Sequence, residues 1–133
     1  MPEIKIYTDG ACRGNPGPSG CGYIIYADEQ EVASGTKFIG TATNNIAEYT
    51  ALLEAAKDPL LEQFTELNFY LDSELVVKQM NGEYKIKNQG LIPIKLEIDK
   101  VLKDKKVTFN HVPRNLNKEA DKLANRAIDE HSS

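Results

Sequence analysis

The pattern of apolar residues first becomes helical near residue 43, and that change restricts the fold more than any other feature. Before it come three strand-like segments; after it, helical segments alternate with short strand-like ones. Residues 3–9 set Ile4 and Ile6 on one face and Tyr7 and Asp9 on the other, which predicts a first strand ending in Asp9. Residues 20–27 (GCGYIIYA) and 31–39 (EVASGTKFI) predict two more, joined by the short "DEQ" connection, so this part reads as an antiparallel meander. Residues 43–57 are helical, with Thr43, Asn44 or Asn45 available as cap and Pro59 just beyond the end. Residues 65–71 alternate Leu67, Phe69 and Leu71 as a fourth strand. Ser73 then caps a short helix that Gly82 ends, and Pro93 sits near the start of a helix reaching residue 103. Residues 106–112 form a fifth strand, and Asn115 or Asn117 opens a last helix to about residue 129, leaving the final HSS frayed. Strands that come first in a run and then alternate with helices predict a mixed sheet with helices on its faces. Without an internal repeat or linker, residues 1–133 read as one domain.

Four carboxylates sit where carboxylates are unusual. Glu48 falls inside the apolar arc of the first helix, one turn before Leu52. Burying a charge there is costly unless it is paired or holds a metal; the plainer alternative is a capping box with Asn45. Asp121 lies at the margin of the last helix's apolar stripe, read as Leu116, Ala120, Leu123, Ala124, Ala127 and Ile128, where it could equally be a solvated flanking charge. Asp72 follows the fourth strand and could cap the next helix. Asp9 could be a turn residue before Gly10. Each plain reading stands alone, but two strands end in aspartate and two helices send a carboxylate toward the sheet, so all four converge at one edge if the first and fourth strands are neighbours. Converging carboxylates repel and require a proton or a cation. An all-oxygen donor set favours Mg²⁺ or Mn²⁺ over zinc. A zinc site is not expected, since Cys12, Cys21, His111 and His131 show no paired ligand spacing.

The net charge of −4 argues against a protein whose main task is holding nucleic acid on a broad basic face, though not against a local phosphate contact. No apolar run approaches a membrane span, and MPEIKIYTDG lacks a basic region followed by an apolar core. The expectation is a cytoplasmic protein with reduced cysteines.

"YTDGACRGNPGPSG", "TNNIAEYTAL", "LDSELVVKQMNG" and "HVPRNLNKEADKLA" resemble the four signature segments of the type 1 ribonuclease H family, in that family's order and over nearly the whole chain. The resemblance implies a ribonuclease H-like α/β (mixed α+β) fold: a five-stranded mixed sheet, three antiparallel strands then two parallel, with helices on both faces. It implies an endonuclease that cuts the RNA strand of RNA–DNA hybrids with two Mg²⁺ ions, Mn²⁺ as substitute, leaving 5′-phosphate and 3′-hydroxyl ends. The metal-binding tetrad maps onto Asp9, Glu48, Asp72 and Asp121. Asn15, Asn45 and Gln79 match minor-groove contacts, Cys12 a position near the RNA sugars, and Thr43 and Asn44 a pocket for a DNA phosphate. The implied partner is the hybrid itself, with no membrane, no obligatory protein partner and a monomeric state.

Two departures qualify the resemblance. Many family members carry a long basic insertion between the second and third helices; here only "EYKIKNQG" connects them, as in an insertion-free subgroup. Tyr84, Lys85, Lys87 and Asn88 could line a reduced DNA-strand channel or be an ordinary solvated loop. Many members also have a histidine before the last helix that helps product leave. His111 lies earlier, inside the fifth strand, and Arg114 occupies roughly the functional place; a guanidinium cannot transfer a proton at neutral pH, so its role there would be electrostatic. The alternatives are a hybrid- or RNA-binding module that does not cut, and another two-metal nuclease of the superfamily, such as a junction resolvase or an integrase core.

Overall fold

In the computed structural model, which describes residues 2–132, the strand-like segments become strands of one sheet and the segments with helical spacing become helices. The order is β1 (Ile4–Cys12), β2 (Gly17–Ala27), β3 (Gln30–Ala42), α1 (Asn44–Ala56), a 3₁₀ turn (Pro59–Gln63), β4 (Glu66–Leu71), α2 (Glu74–Met80), α3 (Ile92–Val101), β5 (Lys106–His111), a second 3₁₀ turn (Arg114–Leu116) and α4 (Lys118–Ser132). The sheet runs β3-β2-β1-β4-β5; β1–β2 and β2–β3 are antiparallel, β1–β4 and β4–β5 parallel. This is the mixed five-stranded arrangement that the sequence led us to expect. No helix among the described residues is long and apolar enough to cross a membrane.

The two faces of the sheet are built differently. On one, Ile4, Ile6, Ile25, Leu67, Phe69 and Leu71 pack with Tyr49 and Leu52 of α1, Val76 of α2 and Ile98 of α3 into the main core. On the other, α4 lies close to the backbone through Ala120, Ala124 and Ala127, all buried. Gly22 allows this, since a Cβ there would stand 2.5 Å from Leu123 Cβ and 2.7 Å from the Ala124 nitrogen. Gly10 does the same for α1, where a Cβ would collide with the Ala47 carbonyl group. α1 and α4 thus approach the adjacent strands β1 and β2 at backbone distance from opposite faces of the sheet. The far end of α4 is tied to β3 and to the β1–β2 turn. Thr36 Oγ1 donates to the Leu123 carbonyl at 2.6 Å, Arg13 pairs with Asp129 at 2.7 Å, and the His131 ring stacks on Phe38 at 3.7 Å.

Three expectations are corrected. β1 does not end at Asp9 but continues to Cys12, pairing Gly10, Ala11 and Cys12 with Cys21, Gly20 and Ser19. Ladder bonds use only backbone groups, so the glycine-rich stretch is mostly strand; the turn is confined to residues 13–16 and closed by the Arg13 N–H donating to Pro18 O at 2.9 Å. Leu116 is 61% exposed rather than part of the buried stripe, because the 3₁₀ turn puts it out of phase with α4. The HSS tail does not fray at once: α4 runs to Ser132, anchored by the His131 stack, while Ser133 lies outside the described residues.

The close approach at Gly22 can be measured. We expect Gly22→Ala to destabilise the protein by about 1–3 kcal/mol, as overpacked sites do, seen as a lower denaturation midpoint at unchanged slope in urea. An unchanged midpoint would mean that α4 can move away at no cost.

Candidate active site

The parallel ladder between β1 and β4 has three register pairs, Lys5↔Asn68, Ile6↔Phe69 and Tyr7↔Tyr70, and then stops. Asp9 and Asp72 each lie two residues beyond the last pair, one on β1 and one just past the end of β4, where the strands part. Such a gap at the carboxyl ends of parallel strands is where open α/β sheets place ligands. α1 crosses the gap from one side and presents Glu48; α4 reaches it from the other and presents Asp121. These four line one cleft of about 480 Å³, together with Cys12, Asn44, Asn45, Ser73, Arg114 and Asn125.

Asp9, Glu48 and Asp72 can each turn an oxygen to within 4.8 Å of the others. Asp9 and Glu48 are 5% and 8% exposed, so both are desolvated. Burial raises the proton affinity of Asp9 most; the charges of Glu48 and Asp72 and side-chain hydrogen bonds with Glu48 and Asp121 raise it further. Glu48 is also raised by burial, opposed by hydrogen bonds from Asp9 and from the Gly10 N–H at 2.9 Å, and by Arg114. A proton between Asp9 and Glu48 therefore eases the repulsion in the metal-free protein. Glu48 Oε2 is buried with no hydrogen-bond partner, which is expensive for a carboxylate oxygen. A hard divalent cation would satisfy it, and an all-oxygen donor set suits one. The residues present therefore fit a Mg²⁺-type site.

Of the other expected residues, Cys12, Asn44, Asn45 and Arg114 line this cleft, while Thr43 and Asn15 lie outside its lining and are joined to the start of α1. Thr43 caps α1, its Oγ1 accepting from the Ile46 N–H at 3.3 Å. Asn15 projects from the 13–16 turn, and its Oδ1 accepts the Asn44 N–H at 3.0 Å, so turn and helix start are joined. Cys12 Sγ, at the end of β1, contacts the carbonyl of Gly14 in the turn that follows. Arg114 is exposed and lines the cleft from the second 3₁₀ turn.

Gln79 is not brought there. It is 7% exposed, its Oε1 accepts from Tyr49 OH at 2.7 Å and its Nε2 donates to Lys85 O at 3.4 Å. These bonds brace the 81–91 connection against the core and take up one of the two Nε2 hydrogens, leaving the other to donate. Tyr84 is exposed beside the same brace, with Lys78 Nζ 5.0 Å over its ring. Lys87 is exposed, and Asn88 turns its Oδ1 back to the Gly90 N–H at 2.8 Å. These three lie along the connection, outside the cleft's lining.

Two residues at the site escaped the sequence reading. Asn117, expected at most to open a helix, is 2% exposed; its Nδ2 donates to Thr8 O at 2.9 Å and to Asp72 Oδ2 at 3.1 Å, while its carbonyl accepts the Asp121 N–H. Asn125 donates to Asp121 Oδ1 at 3.2 Å. The four-residue spacing of Asp121 and Asn125 on one helix was the available signal; nothing in the sequence links Asn117 to Asp72.

Comparison with known proteins agrees with this geometry. A family profile described as reverse transcriptase-like matches residues 7–127. The bifunctional protein Rv2228c of Mycobacterium tuberculosis (strain ATCC 25618 / H37Rv) is 38% identical over 130 residues, covering 96% of this chain but only 36% of its own length. The chain thus spans about a third of that relative. A protein named ribonuclease H from Pseudomonas entomophila (strain L48) is 34% identical over 146 residues, covering 96% of this chain and 95% of its own. The crystal structure of LC11-RNase H1 in complex with an RNA/DNA hybrid superposes with a TM-score of 0.93 at 38% identity, covering 98% of this chain and 100% of that one.

The crowded carboxylates give a stability prediction with a definite sign. Asp9 and Glu48 both bind protons more tightly when folded. Their contribution is then greatest below the ordinary carboxylate value of about 4 and is lost as pH rises. We expect Asp9→Asn to melt higher than the unaltered protein in chelator, by roughly 5 °C for about 1 kcal/mol of relieved repulsion. The gap should widen from pH 5 to pH 8 and shrink on adding Mg²⁺. A variant that melts no higher at pH 8 would show that the carboxylates do not repel.

Proposed function

This chain belongs to the type 1 ribonuclease H family, and from that premise we propose that it is an endonuclease hydrolysing the RNA strand of RNA–DNA hybrids to 5′-phosphate and 3′-hydroxyl ends. The observation that carries this reading is the convergence of Asp9, Glu48, Asp72 and Asp121, from four separate elements, around a buried carboxylate oxygen without a partner. Two divalent ions about 4 Å apart, Mg²⁺ or Mn²⁺, supply an activated water and stabilise the leaving oxygen in such sites. Asp9, Glu48, Asp72 and Asp121 would hold these ions, with Asp9 central, Glu48 and Asp72 supporting departure of the leaving group and Asp121 activation of the water.

The chain's own residues account for the choice of substrate. Asn15 uses its Oδ1 on the Asn44 N–H and so keeps its NH₂ to donate to a ribose 2′-hydroxyl, the group that tells RNA from DNA. Asn45 offers both donor and acceptor beside it. The Thr43 hydroxyl, accepting from Ile46, still has its own proton to give to a DNA phosphate at the α1 N-terminus, where the helix dipole favours an anion. Arg114, exposed at the rim, acts electrostatically on phosphate entering and product leaving. The connection from 81 to 91 contains no helix, which supports membership of the insertion-free subgroup, with Tyr84, Lys87 and Asn88 along a reduced DNA-strand track. We further take residues 1–133 to act as one domain, as a cytoplasmic monomer.

Labelled RNA–DNA hybrid, RNA duplex and DNA duplex incubated with Mg²⁺ or Mn²⁺ separate the readings. We expect cutting of the hybrid's RNA strand alone, a KM that climbs steeply with salt, and a loss beyond about a hundredfold in Asp9→Asn, since even outer-shell partners of a metal site cost 10–100-fold. No cutting with either ion overturns the reading, and DNA cleavage replaces it with a different superfamily nuclease.

A further inference from the structure

Asp121 stands outside the tight trio of Asp9, Glu48 and Asp72, and is partly exposed on α4. Whether it joins them depends on where its side chain points. Asn125, one helical turn on, donates through Nδ2 both to Asp121 Oδ1 at 3.2 Å and to the Asp121 carbonyl at 3.0 Å. The other end of that amide accepts from Arg13 Nη2 at 3.3 Å, and the same Nη2 pairs with Asp129 Oδ1 at 2.7 Å. A guanidinium only donates, so the Asn125 carbonyl must face Arg13 and its NH₂ must face Asp121. Asp129, two turns along the helix from Asp121, holds the guanidinium in place. Arg13 in turn begins the turn that carries Asn15, and Asn15 is bonded to the first residue of α1. One series of polar contacts therefore runs from the nucleic-acid turn to the fourth carboxylate.

We propose that Asn125 is a positioning residue that aims the Asp121 carboxylate into the site, and that Arg13 sets the orientation of its amide, so that the affinity of the site for a divalent cation depends on the turn bearing Asn15. This rests on the hybrid-nuclease reading of the site. Removing the amide leaves Asp121 free to swing toward solvent without altering what touches the nucleic acid. The loss then falls on metal binding, not on hybrid binding. Arg13 acts through Asn125, so its removal adds little once the amide is gone. A direct contact from Arg13 to phosphate would instead add its full effect in either background and would appear in KM and its salt dependence.

The test uses the whole chain with Asn125→Ala, Arg13→Ala and the double variant. Mn²⁺ binding to the substrate-free protein is measured by calorimetry, and hybrid cleavage is titrated with Mg²⁺. Both positions are solvent-accessible and alanine suits a helix, so folding should survive; melting temperatures check it. In Asn125→Ala we expect the Mn²⁺ Kd and the half-saturating Mg²⁺ concentration to rise roughly tenfold, within the range for outer-shell partners, with KM for the hybrid unchanged at saturating metal. Arg13→Ala should give a smaller rise, and the double variant should match Asn125→Ala. Metal binding within twofold of the unaltered protein overturns the role of Asn125. Additive losses in the double variant overturn that of Arg13. If the unaltered chain binds Mn²⁺ yet leaves the hybrid intact, the nuclease reading fails while the calorimetry still decides on Asn125.

Discussion

β1 pairs with a strand on each side, but with β4 only as far as Tyr7. Past that residue it stays with β2 for five more positions, while β4 ends at Leu71 and the chain turns into α2. Two parallel strands that part in mid-sheet leave backbone edges and side chains facing a gap. Everything at the site depends on that gap: it separates Asp9 from Asp72 enough to admit something between them, and gives α1 and α4 a place to converge. Had the ladder continued two residues, Asp9 and Asp72 would be neighbours on adjacent strands, close but with no room for a third group.

Filling the gap with carboxylates carries a cost that the surrounding packing must withstand. Glu48 can reach Asp9 only because Gly10 lets α1 touch β1, and Asp121 arrives only because Gly22 and the alanines of α4 let that helix lie against β2. The same close packing excludes water, which strengthens the repulsion and raises the proton affinity of Asp9 and Glu48. The arrangement is thus least comfortable when empty and deprotonated. A cation relieves all of it together, which is a physical reason for a site of this kind to bind divalent ions at neutral pH. Amide donors, Asn117 on Asp72 and Asn125 on Asp121, hold individual carboxylates in place without neutralising them.

Much of this was legible in the chain. The change of apolar pattern at residue 43 separates the meander from the alternating part, and Glu48 inside an apolar arc announces a buried charge. The readings that failed share a cause. Asp9 was placed at a strand end because glycines and prolines follow it, yet glycine here answers to a neighbouring helix. Leu116 fitted a helical stripe that begins only after it.

The sequence by itself determined the order of the elements, which faces are apolar and which four carboxylates fall out of pattern, because periodicity is a local property of a chain. Only the tertiary structure decided where β1 and β4 part, that Gln79 turns inward, and that Asn117 and Asn125 each serve a carboxylate. Asn117 bonds Asp72 across 45 positions and Arg13 reaches Asn125 across 112. Contacts of that kind depend on how helices seat on a sheet, and no spacing within a segment records them.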